Sequence, residues 1–93
     1  MIKFTSRSQL DLDLIWLHIA EQSINTADRL INTINAECRR LLSQPNIGEN
    51  CEQFSPNLRR ISCGAYMIYY QMRSHDLEIV RILHGARDTE SLF

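Results

Sequence analysis

The sequence predicts a small α+β domain in which an N-terminal helical hairpin packs on an antiparallel sheet, in the order β-α-α-β-β-β. Apolar residues recur at helical spacing in the first half of the chain, whereas after Leu58 they follow strand-like patterns broken by short turns. The length of 93 residues suits one domain spanning residues 1–93, because a second core would need roughly 50 more residues.

The first half begins with a predicted strand at Ile2–Ser6, followed by a helix for which Ser8 is the expected N-cap. A break at residues 23–26 leads to a second helix, with Asn25 as its expected N-cap and its end near Leu42. The apolar stripe of the first helix combines the row Leu10, Leu14, Leu17 and Glu21 with Leu12, Ile15, Trp16 and Ile19. The stripe of the second helix contains Ala27, Leu30, Ile31, Ile34, Cys38, Leu41 and Leu42.

Residues 49–57 show no periodic pattern and are predicted to be a loop, after which three strands form a meander. The predicted strands are Leu58–Ser62, Ala65–Met72 and Leu77–His84. With Met72 opposite Leu77, one face of the hairpin holds Tyr66, Ile68, Tyr70, Ile79, Arg81 and Leu83. The other face holds Met67, Tyr69, Gln71, Glu78, Val80, Ile82 and His84. The helices cover one face, so the other apolar face implies a partner or a strong curl of the sheet.

The three cysteines indicate reduced thiols rather than a metal site or a disulfide framework. Cys38, Cys51 and Cys63 are an odd number without a C-x-x-C pair, and Cys38 lies in a helical core stripe. We therefore expect no metal and no cofactor. The chain also lacks a secretory signal and the ~18-residue apolar run of a membrane span, so a cytoplasmic location is expected.

The net charge is −1, but residues 58–87 hold five arginines against only Asp76 and Glu78. This distribution predicts a positive surface on a nearly neutral protein, with no sequence-specific nucleic-acid binding by the chain alone. Arginine suits carboxylate and phosphate recognition because its planar fork donates two parallel hydrogen bonds. The alternative is that these arginines are solvated strand residues and ion-pair partners.

Six segments along the whole chain carry a family resemblance. They are Asp13–Ala20, Leu42–Gly48, Leu58–Arg60, Gly64–Tyr70, Leu77–Asp88 and Ser91–Phe93. In this order they resemble the ParE branch of the RelE/ParE toxins, the toxin halves of bacterial type II toxin–antitoxin modules. The most specific part is the string Ile-Val-Arg-Ile-Leu-His-Gly-Ala-Arg-Asp at 79–88.

The resemblance implies different activities in its two branches. RelE-like members cut mRNA on the ribosome, using basic residues on the strands and a late arginine and tyrosine. Arg59 and Arg87 match two of the basic positions, but Met67 stands at an arginine position and Phe93 at that of the tyrosine. Phenylalanine cannot transfer a proton and methionine cannot neutralise a phosphate, so no catalytic residue is assigned.

ParE-type toxins are similar in fold and arrest growth by binding DNA gyrase and stabilising its cleaved-DNA complex, which is the function this resemblance implies. The predicted inhibitory surface consists of Arg59, Arg60, Arg81, His84, Arg87 and Phe93. Three of these have structural alternatives: a buried ion pair for Arg81, a hydrogen bond that holds the Gly85 turn for His84, and core or dimer packing for Phe93. A second hypothesis is a nuclease with substitute acid and base groups from His75, His84 and Tyr66, Tyr69 or Tyr70. A third is a degenerate toxin that only binds its antitoxin.

The resemblance also implies a cognate antitoxin, joined to the toxin in a hetero-oligomer. Such a partner, with a tail that orders on contact, would cover apolar positions that a small core cannot absorb. The predicted antitoxin-binding residues are Trp16, Ile24, Met67, Tyr69, Val80 and Ile82. A homodimer, with or without a bridging metal, is the competing account of the same surface.

Overall fold

The computed structural model describes residues 1–85 and confirms the predicted order of elements, with one addition. A short strand, Glu49–Asn50, lies in the segment predicted to be a loop and pairs with the strand after it. The described elements are β1 (Ile2–Phe4), α1 (Ser6–Ala20), α2 (Ile24–Ser43), β2 (Glu49–Asn50), β3 (Arg59–Cys63), β4 (Tyr66–Arg73) and β5 (Asp76–His84). Neither of these helices combines the length and the apolar character needed to cross a membrane.

The strands form one sheet in the order β1-β5-β4-β3-β2. β3, β4 and β5 make the predicted antiparallel meander, with Met72 opposite Leu77. The sheet is mixed because β1 runs parallel to β5. The N-terminal amine and Lys3 lie 3.3 and 3.2 Å from the Asp76 carboxylate. Their hydrogen bonds lower the pKa of Asp76, and the bond from Lys3 has the larger effect.

Both helices begin earlier than predicted. Thr5, and not Ser8, is the N-cap of α1, since its hydroxyl accepts the Ser8 N–H at 3.1 Å. The same hydroxyl donates to the Val80 carbonyl at 2.9 Å, which ties the start of α1 to β5. Ser23, and not Asn25, caps α2 by accepting a backbone N–H at 3.2 Å. Ser8 lies in the first turn and is fully buried.

The main core lies between the helical hairpin and one face of the sheet. Ile34, Cys38 and Leu41 of α2 are buried in it, as their spacing predicts. Burial raises the pKa of the Cys38 thiol to about 12, which makes it an inert core residue. The sheet contributes Cys63, Ile68, Tyr70, Leu77, Ile79 and Ile82.

Helix α1 does not bury the side that carries its leucine row. Leu12 is buried and Ile15 packs partly against the core, but Leu10, Leu14 and Leu17 are 47, 55 and 55% exposed. Two hydrogen bonds with β5 fix the rotation of the helix: Thr5 donates to the Val80 carbonyl, and Asp11 accepts the Ile82 N–H. The leucine row therefore lies on the outer side of α1 and not in the core.

A β-bulge changes the predicted faces of β5. Tyr69 lies opposite Arg81 and Tyr70 opposite Ile79, which leaves Val80 as the extra residue. The predicted faces hold up to Val80, whereas those of Ile82 and Leu83 are exchanged. The assignment of Ile82 to the outer face and of Leu83 to the helix face is therefore wrong: Ile82 belongs to the main core and Leu83 to the second cluster.

The other face of the sheet has an internal cover, contrary to prediction. The segment 51–58 folds back on it, closed by a hydrogen bond from the Cys51 N–H to the Leu58 carbonyl at 2.8 Å. Cys51 and Leu58 bury Tyr69 to 2% exposure, with Phe54 packed beside them. Sequence periodicity missed this cover because its apolar residues are spaced irregularly.

Candidate functional site

Arg81 is held in a buried ion pair. Its Nε and Nη2 atoms donate to the two carboxylate oxygens of Asp11 at 2.8 and 3.0 Å, and the arginine is 7% exposed. Hydrogen bonding to Asp11 raises the pKa of Arg81. Asp11 also accepts the Ile82 N–H at 3.0 Å, on the part of β5 that extends beyond β1. This geometry matches the structural alternative for Arg81, because its charge is compensated inside the fold.

Arg60 is paired as well, near the edge of the sheet. Its Nε donates to Glu49 of β2 at 2.8 Å, and its Nη1 donates to the Tyr69 hydroxyl at 3.2 Å. The guanidinium carbon also lies 5.9 Å from the centre of the Tyr69 ring. The hydrogen bond lowers the pKa of Glu49 and raises that of Arg60. Strand β2 thus supplies the carboxylate for this arginine.

Arg59 holds the loop between α2 and β2. Its Nη1 donates to the Gly48 carbonyl at 2.8 Å, while the Tyr70 hydroxyl accepts the Gly48 N–H at 2.9 Å and donates to the Pro45 carbonyl at 2.8 Å. A groove of about 320 Å³ opens beside these groups. Arg59 is half-buried and donates to a carbonyl, which carries no formal charge. Among the described residues, no carboxylate contact therefore compensates the charge of Arg59.

A second groove of about 320 Å³ lies between α1 and the ends of β4 and β5. His84 is exposed there, with its ring edge-on to Tyr66 at 5.6 Å between centroids. His18 also lines the groove. Sequence analysis missed this residue, although its seven-residue spacing from Asp11 puts both on the same side of α1. The groove is lined by Asp11, Leu14, Ile15, His18, Tyr66, Ile82, Leu83 and His84. Within residues 1–85 no three metal-ligating side chains come together.

The substitute acid–base residues proposed from the sequence are only partly brought together. His75 lies in the turn between β4 and β5, at the opposite end of the hairpin from His84. Tyr69 and Tyr70 are buried, at 2 and 1% exposure. Of the predicted set, Tyr66 and His84 alone meet at this groove. Arg87 and Phe93 of the predicted inhibitory surface lie outside the described residues.

The predicted antitoxin-binding residues are divided between the helical side of the molecule and the sheet. Trp16 is half-buried, donates to Asp28 at 2.8 Å and lines a groove of about 380 Å³ with Phe4 and Ile31. Ile24, at the start of α2, is 59% exposed. These two positions offer apolar surface on the helical side of the molecule.

On the sheet side, the cover of residues 51–58 removes part of the predicted surface. Met67 and Val80 are partly buried against the second cluster. Tyr69 lies within that cluster and Ile82 in the main core. The prediction that Tyr69 and Ile82 present their side chains on an open apolar face is wrong, because the cover and the bulge at Val80 bury them.

The chain is similar to known proteins over almost its full length. The family model described as "ParE toxin of type II toxin-antitoxin system, parDE" matches residues 2–89. The chain belongs to the ParE toxin family. It is therefore the toxin type of a two-component system whose other component is an antitoxin.

The chain is also similar to individual ParE proteins in sequence and in structure. Toxin ParE1 of Mycobacterium tuberculosis H37Rv is 24% identical over 85 residues, covering 89% of this chain and 87% of the relative. Toxin ParE3 of Caulobacter vibrioides is 29% identical over 76 residues, covering 81 and 76%. A solved structure, "Chromosomal ParDE TA system from P. aeruginosa", has a TM-score of 0.76 at 19% identity and covers 89% of this chain and 92% of that chain. The structural likeness confirms the ParE fold.

Proposed function

We propose that this ParE-family toxin acts in the cytoplasm by binding DNA gyrase, stabilises the cleaved-DNA complex of that enzyme, and is neutralised by a cognate antitoxin. Family membership supports the toxin class. The choice of a binding mechanism over a nuclease rests on the arginines of the sheet. A ribonuclease of this fold needs cationic side chains free to approach a phosphate.

The described sheet offers few such cations. Arg81 and Arg60 are matched by Asp11 and Glu49, and Arg59 is bound to backbone carbonyls. Met67, at the position of a catalytic arginine in the RelE branch, is packed against the second cluster. An arginine that already has a carboxylate partner would have to break that pair to bind a phosphate, so this arrangement favours binding without chemistry.

The inhibitory surface is then expected at the exit of β5. His84 is exposed there, next to the groove formed with α1, and Arg87 and Phe93 follow within nine residues of it in the sequence. A target that binds here would contact the His84 imidazole, and Arg87 and Phe93 are assigned to the same surface from the sequence alone. Arg59, Arg60 and Arg81 are expected to support the fold and not to contact the target.

The test is a gyrase supercoiling and cleavage assay with the purified chain. We expect protein-linked linear DNA to accumulate, and Arg87→Ala or removal of residues 91–93 to abolish this while antitoxin binding persists. Arg73→Ala is the matched control, because Arg73 is exposed at the opposite end of the β4–β5 hairpin. If gyrase is indifferent to a preparation that still arrests growth, the proposed target is wrong.

A ribosome-dependent nuclease is the second candidate, favoured by the Tyr66–His84 contact and by His18 in the same groove. Imidazole and phenol groups are able to act as acid and base at neutral pH or in a tuned environment. This hypothesis expects mRNA cleavage on ribosomes, lost in His84→Gln with the fold intact. Absence of cleavage by the parent protein would exclude it, and absence of both activities and of growth arrest would indicate a degenerate toxin.

We further propose that the antitoxin packs on the helical side, over Trp16 and Ile24, and reaches the sheet at Met67 and Val80. Exposed apolar surface at Ile24 supports this placement. Ile24→Asp is expected to weaken antitoxin binding, whereas Ile47→Asp, a loop residue of similar exposure, is expected to leave it unchanged. Equal binding by both variants in a calorimetric titration would contradict this placement.

A further inference from the structure

The outer side of α1 carries an unusual seam. Arg7, Leu10, Leu14, Leu17 and Glu21 follow one another at spacings of three, four, three and four residues, the heptad spacing of helices that pair. We call these five residues the α1 seam. At about 100° per residue they fall within a sector of about 80°. The seam continues to Glu21 because this C-cap residue keeps helical dihedral angles.

The seam is open to solvent. The three leucines are 47, 55 and 55% exposed, and Arg7 and Glu21 are exposed at its two ends. Neither charged side chain forms an ion pair or a hydrogen bond with another residue of the described 1–85 range. By contrast, every arginine of the described strands forms an ion pair or a hydrogen bond. The seam thus combines apolar surface with two charges that lack partners within the described fold.

The arrangement of the seam is complementary to itself. Arg7 and Glu21 each lie seven residues from Leu14, one on either side. If a second copy packs antiparallel with the twofold axis at Leu14, Arg7 of each copy meets Glu21 of the other, and Leu10 lies within one residue of the level of Leu17. A parallel arrangement would instead place like charges together. The paired length is about 21 Å at 1.5 Å per residue.

We propose that two copies of this chain associate through antiparallel packing of their α1 seams, with Leu14 at the axis and an Arg7–Glu21 ion pair at each end. The interface is isologous, as in most homodimers. The positions of Arg7 and Glu21 favour a second copy of the chain as the binding partner, because each charge of one seam meets the opposite charge of the other. The proposal does not depend on which target the toxin inhibits.

The first test is sedimentation velocity of the full chain without antitoxin, over about 1–200 μM. We expect a concentration-dependent shift from 10.9 kDa to twice that mass. Leu14→Glu is expected to raise the dimer dissociation constant roughly tenfold or more, because it puts two carboxylates at the axis. Ile47→Glu is the control, since Ile47 is 45% exposed but lies outside the seam. Circular dichroism establishes that both variants fold.

The second test exchanges the charges. Arg7→Glu and Glu21→Arg are each expected to weaken association severalfold, about the effect of two reversed surface pairs. An equimolar mixture of these two variants, and the double variant Arg7→Glu/Glu21→Arg, are both expected to restore it. Failure of the double variant to recover would exclude the antiparallel register. A chain that stays monomeric, with Leu14→Glu impairing antitoxin binding instead, would assign the seam to the antitoxin and overturn the proposal.

Discussion

Replacing Asp11 tests whether the buried pair with Arg81 is a central support of the fold. The carboxylate accepts three hydrogen bonds, two from Arg81 and one from the Ile82 N–H, all between 2.8 and 3.0 Å. The side chains of Arg81 and Asp11 are 8 and 12% exposed. Asp11→Ala would leave a buried guanidinium and a backbone N–H of β5 without partners.

The magnitude follows from burial. Removing one partner of a buried ion pair costs about 3–5 kcal/mol, because the remaining charge stays desolvated. A domain of this size has a free energy of unfolding of about 5–15 kcal/mol, so Asp11→Ala is expected to remove a large part of it. The double variant Asp11→Leu/Arg81→Met removes both charges and leaves only the Ile82 N–H unpaired, which costs about 1–3 kcal/mol. The double variant is therefore expected to be more stable than Asp11→Ala.

Urea unfolding, followed by far-UV circular dichroism at neutral pH, measures these differences. Glu37→Ala is the matched control, since the Glu37–Arg40 pair is more exposed and should contribute less than about 1 kcal/mol. If Asp11→Ala loses no more free energy of unfolding than Glu37→Ala, the pair does not support the fold as argued. A double variant less stable than Asp11→Ala would equally refute the desolvation argument.

Three further predictions concern other parts of the fold. Tyr70→Phe leaves the Gly48 N–H and the Pro45 carbonyl without the buried hydroxyl that joins them, so the free energy of unfolding should fall by about 1–3 kcal/mol in urea titrations; no change would mean that water replaces the hydroxyl. The pKa of Asp76 is lowered in the folded state, so its stabilising effect is complete above its ordinary value of 3.8 and is lost as the pH falls through the folded value. The stability difference between the parent and Asp76→Asn should therefore shrink as the pH falls below 3.8, and a constant difference would contradict this coupling. Cys38, with its pKa raised to about 12, should react with a thiol reagent only on unfolding; labelling of the native protein at that position, mapped by mass spectrometry, would show that the core opens.

The sequence patterns predict most of the fold where periodicity and pairing are local. The spacing of Ile34, Cys38 and Leu41 correctly identifies the buried side of α2, and the four-residue turn correctly aligns Met72 with Leu77. The bulge at Val80 carries no sequence signal, since no glycine or proline marks it. A single extra residue shifts the alternation of the two faces, which is why the sequence pattern places Ile82 and Leu83 on the wrong sides.

The rotation of α1 is harder to predict because the helix is apolar on two sides. Leu12 and Leu14 are both consistent with a core position by hydrophobicity alone. Tertiary hydrogen bonds that join Thr5 and Asp11 to β5 determine which side is buried, and the joined residues are more than 70 positions apart in the sequence. The same rotation brings His18 to the groove at His84, so the histidine missed by sequence analysis depends on a contact that local patterns do not contain.

The arginines illustrate the limit of inferring a surface from charge distribution. Five arginines against two acidic residues in the last third predict a positive sheet, yet Arg60 and Arg81 are compensated by Glu49 and Asp11 from earlier segments. A charge balance taken over a continuous segment cannot detect partners that the fold brings from elsewhere. Because these charges are compensated inside the ParE fold, we expect the target to be recognised at the end of β5, by His84 and the residues that follow it in the sequence.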